Sequence, residues 1–203
     1  MKHFLIGAGG HCKSLLSCAD AQNIKIDGVI DSSPKEQKVL NCNVVDEKLH
    51  NWDKNNKYLI AVRDQELKKS ILKKIKKNID FTNFFNLIHP SAVVSNGVNL
   101  GNGICILAGA YVGPETKIGD HVCINSGCVI EHDCKIGDST FFGPSVNLAG
   151  NVLIVKNCFL GLNSSIIENI SIADNTVIGS SSLVLKDIKN KNGTFVGIPA
   201  KEI

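Results

Sequence analysis

The sequence predicts a small parallel α/β unit over residues 1–87, followed over residues 88–203 by an all-β unit of short stacked strands. Two observations carry that division. From Ile88 onward every sixth residue is apolar, for seventeen positions in succession: Ile88, Val94, Leu100, Ile106, Val112, Ile118, Ile124, Ile130, Ile136, Phe142, Leu148, Ile154, Leu160, Ile166, Ile172, Ile178 and Val184, in a chain only 43% hydrophobic. The charge balance changes at the same point, from fifteen Lys and Arg against ten Asp and Glu in residues 1–87 to seven against nine in residues 88–203.

The first unit opens on an apolar strand at residues 3–6, a glycine turn "GAGGHCK" at 7–13, an amphipathic helix from about Gly10 to Ala21 and a second strand ending at Asp31. A polar loop over residues 31–37, with Ser32, Ser33 and Pro34, then a strand "KYLIAV" at 57–62, a basic helix at about 64–78 and a short strand "FFNLI" complete it. A strand, a glycine turn, a helix and a further strand make a Rossmann-like βαβ unit. The lysines of "KKSILKKIKKN" would suit nucleic-acid phosphates. With Leu67, Ile71 and Ile75 on one face and no aromatic residue within the run to stack on bases, an amphipathic helix with a solvated basic face is the better reading, and no nucleic-acid partner is expected.

Two further columns accompany the six-residue period. Four residues after each apolar position stands a small or β-branched residue, among them Thr116, Val122, Cys128, Cys134, Thr140, Val146, Val152 and Cys158. One residue after it glycine recurs, at 101, 113, 119, 137, 143, 161 and 179, as a tight turn with unusual backbone angles would require. A unit with one large and one small inward residue cannot bury itself alone. It gains a core only by stacking on copies of itself.

Composition narrows the function classes. No apolar run approaches the roughly 20 residues that cross a bilayer, and "MKHFLIGAGGH" is too short an apolar stretch for a signal peptide, so a cytoplasmic protein without a membrane partner is expected. The eight cysteines form no C-x-x-C pair and no zinc spacing; they are read as reduced, mostly packing residues, and no metal is expected.

An aliphatic residue, glycine, two variable positions and a small residue, repeated every six, resemble the left-handed parallel β-helix of hexapeptide acyltransferases. That resemblance implies three hexads per triangular coil, with residues 18 apart stacked about 4.8 Å from one another. Together with "GxGGH", "IEHD" (130–133), "LAGNV" (148–152) and "VGIPAK" (196–201), the chain resembles the sugar O/N-acyltransferases of the sialic acid O-acetyltransferase group. Within that group it is most similar to bacterial N-acetyltransferases of nucleotide-linked 4-amino-4,6-dideoxy sugars, as in the formation of UDP-N,N'-diacetylbacillosamine.

Acetyl transfer from a thioester needs a base near neutral pKa and a donor for the oxyanion. The sequence offers His132 between two acids. The resemblance makes His132 the general base and Asp133 the acid that orients it, with Glu131 as the alternative. It implies acetyl-CoA as co-substrate, the Gly150 N–H on the thioester carbonyl, and pantetheine passing Leu162, Ser180 and Pro199. It also implies a homotrimer with sites between subunits. The glycine turn lacks the third glycine of a dinucleotide fingerprint, since Cys12 stands there. Gly9, Gly10, His11 and Asp31 are the residues expected to hold a nucleotide-linked sugar, against the alternative of a turn without ligand. Many relatives carry a second histidine nine residues after the base, where this chain has Phe141. O-acetylation of sialic acid or a related sugar, and a β-helix binding module in which His132 is inert, are the competing functions.

Overall fold

The computed structural model describes all 203 residues, Met1–Ile203. The chain divides into two compact units, Met1–Pro90 and Ser91–Ile203.

The first unit is built on strands β1 (His3–Ile6), β2 (Gly28–Asp31), β3 (Lys38–Val39), β4 (Cys42–Asp46) and β5 (Lys57–Ile60), with helices α1 (Gly10–Ala21) and α2 (Gln65–Ile75). The strand order is β3-β4-β2-β1-β5, parallel throughout except for the β3–β4 pair. Phe4, Leu5 and Ile6 are all buried, as a parallel strand covered on both faces requires. Phe4, Ile6, Ile30, Tyr58, Ile60, Ile75, Ile79 and Phe84 form one apolar core on this sheet. Strand order reverses at β1, whose neighbours are β2 and β5, so the glycine turn leaves the sheet where such folds open a crevice.

Two features depart from the sequence reading. Residues 38–46, to which the sequence reading assigned no element, form the β3–β4 hairpin, and α2 presents a different face. Leu67 is 49% exposed, whereas Lys68 is 2% exposed. Asp64 caps α2 by accepting from the Leu67 N–H at 2.7 Å. The buried stripe then runs through Lys68, Ile71, Leu72 and Ile75, the spacing a 3.6-residue turn dictates.

The second unit is a left-handed β-helix of two-residue strands on three faces. One face stacks six strands from Val93–Val94 to Leu183–Val184, and another five from Asn99–Leu100 to Ser171–Ile172. The third runs through Cys105–Ile106, Cys123–Ile124, Phe141–Phe142, Phe159–Leu160 and Val177–Ile178 to a terminal hairpin of Thr194–Val196 and Lys201–Glu202. Register is 18 residues at each step, as in Val112↔Ile130↔Leu148↔Ile166↔Val184, and tightens only at the C-terminal end, to 17 at Val177↔Thr194 and 16 at Ile172↔Ile188. These large inward residues and the small ones at Thr116, Val122, Cys128, Cys134, Thr140, Val146, Val152 and Cys158 are all buried. Three inward thiols also serve as donors to the next coil: Cys128 to Gly143 O (3.1 Å), Cys134 to Ala149 O (3.4 Å) and Cys158 to Ala173 O (3.2 Å).

The corner glycines have a different cause from the one expected. Gly113, Gly143 and Gly161 do not adopt positive φ; that falls two residues later, on Glu115, Ser145 and Asn163, and at Asp133 and Asn151 in the same way. A Cβ at Gly113 would lie 2.7 Å from His132 N, and one at Gly161 2.5 Å from Ser180 N. Glycine is required there because the next coil's backbone passes directly against it.

Candidate active site

His132 lies in the corner between strand Val129–Ile130 and strand Lys135–Ile136. The inward Ile130 and Cys134 are fully buried and bracket the turn, which leaves Glu131, His132 and Asp133 at the edge of the prism. From the coil before, the buried Thr116 hydroxyl donates to Glu131 O at 3.0 Å and accepts from Cys134 N at 3.2 Å. Asp133 N donates to Pro114 O, and His132 O accepts from Asn151 N at 2.9 Å. The corner is therefore held from within and from both neighbouring coils.

The imidazole Nδ1 of His132 lies 2.7 Å from Asp133 Oδ2, with both side chains somewhat over half exposed. Asp133 has φ near +60°, a left-handed conformation that Asp tolerates better than most residues. With the carboxylate accepting from Nδ1–H, Nε2 carries the lone pair. Glu131 shares the corner, but the carboxylate on the ring is that of Asp133.

Gly150 stands one coil on. A Cβ there would lie 2.6 Å from His132 Cε1 and 2.7 Å from Nε2, so the ring occupies the space a side chain at 150 would fill. The Gly150 carbonyl accepts from Asn169 N at 3.1 Å, while its N–H enters no hydrogen bond of the backbone ladder. An imidazole, a carboxylate on its Nδ1 and an N–H outside the backbone ladder thus share one edge, groups of the kind acyl transfer can use.

Leu162 and Ser180 do not lie on that edge. They are exposed and stack on each other, in the corner between strand Phe159–Leu160 and strand Ser165–Ile166. Their offset from His132 decides this, because residues share a corner only when they differ by a multiple of 18, and 162 − 132 is 30. On one chain, therefore, Leu162 and Ser180 do not share an edge with His132. On its own chain that edge continues through Gly150, Glu168 and Lys186. Pro199 is exposed, in the segment between the strands of the terminal hairpin. Phe141, at the expected second-histidine position, is 4% exposed and stacks on Phe159 with ring centroids 5.6 Å apart and planes 6° from parallel. His121 sits in yet another corner and is buried.

In the first unit the glycine turn is held by Asp31, whose Oδ2 accepts from Ala8 N at 2.7 Å and Oδ1 from Ser33 N at 2.8 Å. The residue expected to meet a ribose or base therefore also shapes the turn. A Cβ at Gly7, where φ is +107°, would lie 2.6 Å from Val62 Cγ2, so only glycine fits between the ends of β1 and β5. Gly9 is the N-cap of α1 and supplies no side-chain cap, and nothing lies within 4 Å of a Cβ at Gly9 or Gly10. His11, in the first turn of α1, is half-buried. Cys12 is fully buried, and its thiol is pushed up to about 12 by burial, then by Cys42 and Asp31. Burial keeps this thiol in its protonated, unreactive form.

Two family models match. One, described as the GMPPB C-terminal domain, covers residues 102–203, half of the chain; the other, the PglD N-terminal domain, covers residues 2–75. No curated protein sequence matches. Among solved structures, a histidine-to-asparagine variant of perosamine N-acetyltransferase from Caulobacter crescentus, in complex with CoA and GDP-perosamine, is 30% identical with a TM-score of 0.92. The alignment covers 100% of this chain and 97% of that one. The acetyltransferase domain of PglB from Neisseria gonorrhoeae (24% identity, TM-score 0.90, 100% and 99% covered) and WeeI from Acinetobacter baumannii (20%, 0.89, 100% of both) share the fold.

Proposed function

We propose that this chain, which belongs with the Caulobacter perosamine N-acetyltransferase to the hexapeptide-repeat sugar N-acetyltransferases, moves the acetyl group of acetyl-CoA onto the amine of a nucleotide-linked 4-amino-4,6-dideoxy sugar. The observation that carries the reading is the His132 ring held by Asp133 against Gly150.

His132 Nε2 takes a proton from the sugar amine as its nitrogen attacks the thioester carbonyl. The C–N bond forms, the carbonyl oxygen takes up negative charge, and the Gly150 N–H donates to that oxygen. Collapse of the intermediate breaks the C–S bond, and the imidazolium returns its proton to the departing thiolate. Asp133 holds the ring in the tautomer that accepts at Nε2 and stabilises the imidazolium. No covalent enzyme intermediate is needed.

Gly9, Gly10, His11 and Asp31 receive the nucleotide part. The uncapped first turn of α1 and the open approach over Gly9 and Gly10 favour a phosphate there. Leu162 and Ser180 lie on a different edge of the prism from His132, so they meet acetyl-CoA at His132 only from a second copy of the chain. That separation supports a homotrimer with sites between subunits. No helix is long and apolar enough to cross a membrane; the cytoplasm, where acetyl-CoA is available, is the proposed location.

The test is CoA thiol release with GDP-, UDP-, dTDP- and CMP-linked 4-amino-4,6-dideoxy sugars, with mass and hydroxylamine stability distinguishing an amide product from an ester. An ester product alone, or release undiminished in His132→Ala, would remove the proposed chemistry. Mixing His132→Ala chains with Ser180→Arg chains restores part of the activity if sites are shared between copies.

A further inference from the structure

Each corner of the prism is a four-residue turn, and several of these turns close on themselves. Ala110 N donates to Leu107 O at 3.2 Å, Cys128 N to Asn125 O at 3.3 Å, Ser164 N to Gly161 O at 3.2 Å and Ser182 N to Gly179 O at 3.3 Å. The turn that carries His132, from Glu131 to Cys134, is held open instead. Its terminal carbonyl and amide both turn to the Thr116 hydroxyl of the coil before, which donates to Glu131 O at 3.0 Å and accepts from Cys134 N at 3.2 Å. Thr116 and Cys134 are fully buried, so this amide has no water to turn to. The thiols of Cys128, Cys134 and Cys158 reach a carbonyl 15 residues on in the same way. A thiol is a weak donor and a weak acceptor, whereas a hydroxyl serves well as both. Among these bridges to a carbonyl, the one beneath His132 is made by oxygen.

Resting on the acetyl-transfer reading above, we propose that Thr116 is a positioning residue for the reaction: its hydroxyl holds the His132 turn open, so that the imidazole meets Asp133 on one side and the Gly150 backbone on the other. Without that hydroxyl the buried Cys134 amide lacks an acceptor, and leaving it unpaired is costly. The nearest carbonyl it can take is Glu131 O, at the other end of its own turn, so the turn closes as the others do. His132 and Asp133 are the two central residues of that turn, and closure moves both. The ring must keep Nδ1 2.7 Å from Asp133 Oδ2 while lying in the space over Gly150, and the two conditions are met together only in the open turn. Misplacing a base by about 1 Å costs about 10- to 100-fold in rate. Thr116 is inward and touches neither substrate, so its loss acts on kcat and leaves binding alone.

The experiment measures kcat and both KM values for the wild type, Thr116→Val, Thr116→Ser and Thr116→Cys, below the melting transition of each. Thr176→Val is the matched control, since it removes an equally buried hydroxyl that donates within its own turn, to Ala173 O at 2.8 Å. In Thr116→Val, kcat is expected to fall about tenfold with both KM values within about twofold of the wild type. Thr116→Ser restores kcat, and Thr176→Val keeps it even where its Tm falls as far. An unchanged kcat in Thr116→Val overturns the proposal. If that variant does not fold, an unchanged kcat in Thr116→Cys, which carries the thiol bridge of three other corners, does the same. An equal fall in Thr176→Val, or a rise in KM with kcat kept, makes Thr116 a general support of its coil and also overturns it. A crystal structure of the folded Thr116 variant with the lower kcat separates this proposal from the reading it rests on. A turn that stays open removes the proposal, whereas a wild type that releases no CoA with any acceptor removes the acetyl-transfer reading.

Discussion

The imidazole of His132 occupies the volume above Gly150 that any larger residue would need: a Cβ at 150 would lie within 2.6 to 3.2 Å of three ring atoms. All three belong to a side chain, so the ring yields before the backbone does. Gly150→Ala is expected to lower kcat about 100-fold by turning the imidazole away from Asp133, with little change in thermal stability. A melting curve and kcat on the same preparation check this. A large loss of Tm with kcat preserved would contradict it.

Asp133, and not Glu131, contacts Nδ1. Asn keeps both the shape and the tolerance for the left-handed backbone at φ near +60°. Asp133→Asn should therefore fold normally and lose about 100-fold in kcat, whereas Glu131→Gln should change kcat by less than about threefold. Steady-state kinetics of the two variants side by side decide between the carboxylates.

Asp31 shapes the glycine turn through Ala8 N and Ser33 N. Its replacement by alanine leaves two donors without their acceptor and costs about 1–3 kcal/mol of stability. Binding of the nucleotide-sugar should weaken while the affinity for acetyl-CoA, measured by calorimetry, stays the same. A parallel loss of both affinities would mean that the turn serves folding and not the acceptor.

Burial pushes the thiols of Cys128 and Cys158 from 9.0 up to about 11. Between these values the unfolded chain ionises its thiols while the folded chain keeps them protonated, so stability falls as pH rises from about 9 to 11 and is unaffected by these groups below 9. Cys158→Ala should flatten the decline in Tm across that window. Below pH 9, neither thiol should react with iodoacetamide until the protein is unfolded.

Much of this was legible because an 18-residue register is a counting rule. His132 and Gly150 differ by 18, so their apposition follows from the repeat, as does the inward placement of Ile130 and Cys134. That Leu162 and Ser180 stand on a different edge from His132 follows from the same rule, since their offsets of 30 and 48 leave a remainder of 12 on division by 18. The role of the corner glycines is not readable from sequence, since close approach of the next coil and positive φ both call for glycine; only the backbone angles separate them. Strands β3 and β4 carry little signal because β3 has two residues in a polar stretch and the hairpin turns at Leu40, a residue with no turn preference. On α2, Leu67 marks the apolar face one position away from Lys68, which burial alone reveals.

The same counting rule restricts how such a protein can change in length. Losing one hexad between residues 133 and 149 would rotate every later corner by a third of a turn and carry Gly150 away from His132. Losing three hexads beyond Gly150 would leave His132 against Gly150 and bring every later corner one rung closer. Lineages of this architecture should therefore gain and lose segments in whole coils, and a relative with an odd hexad between these two corners should set a different residue against its histidine.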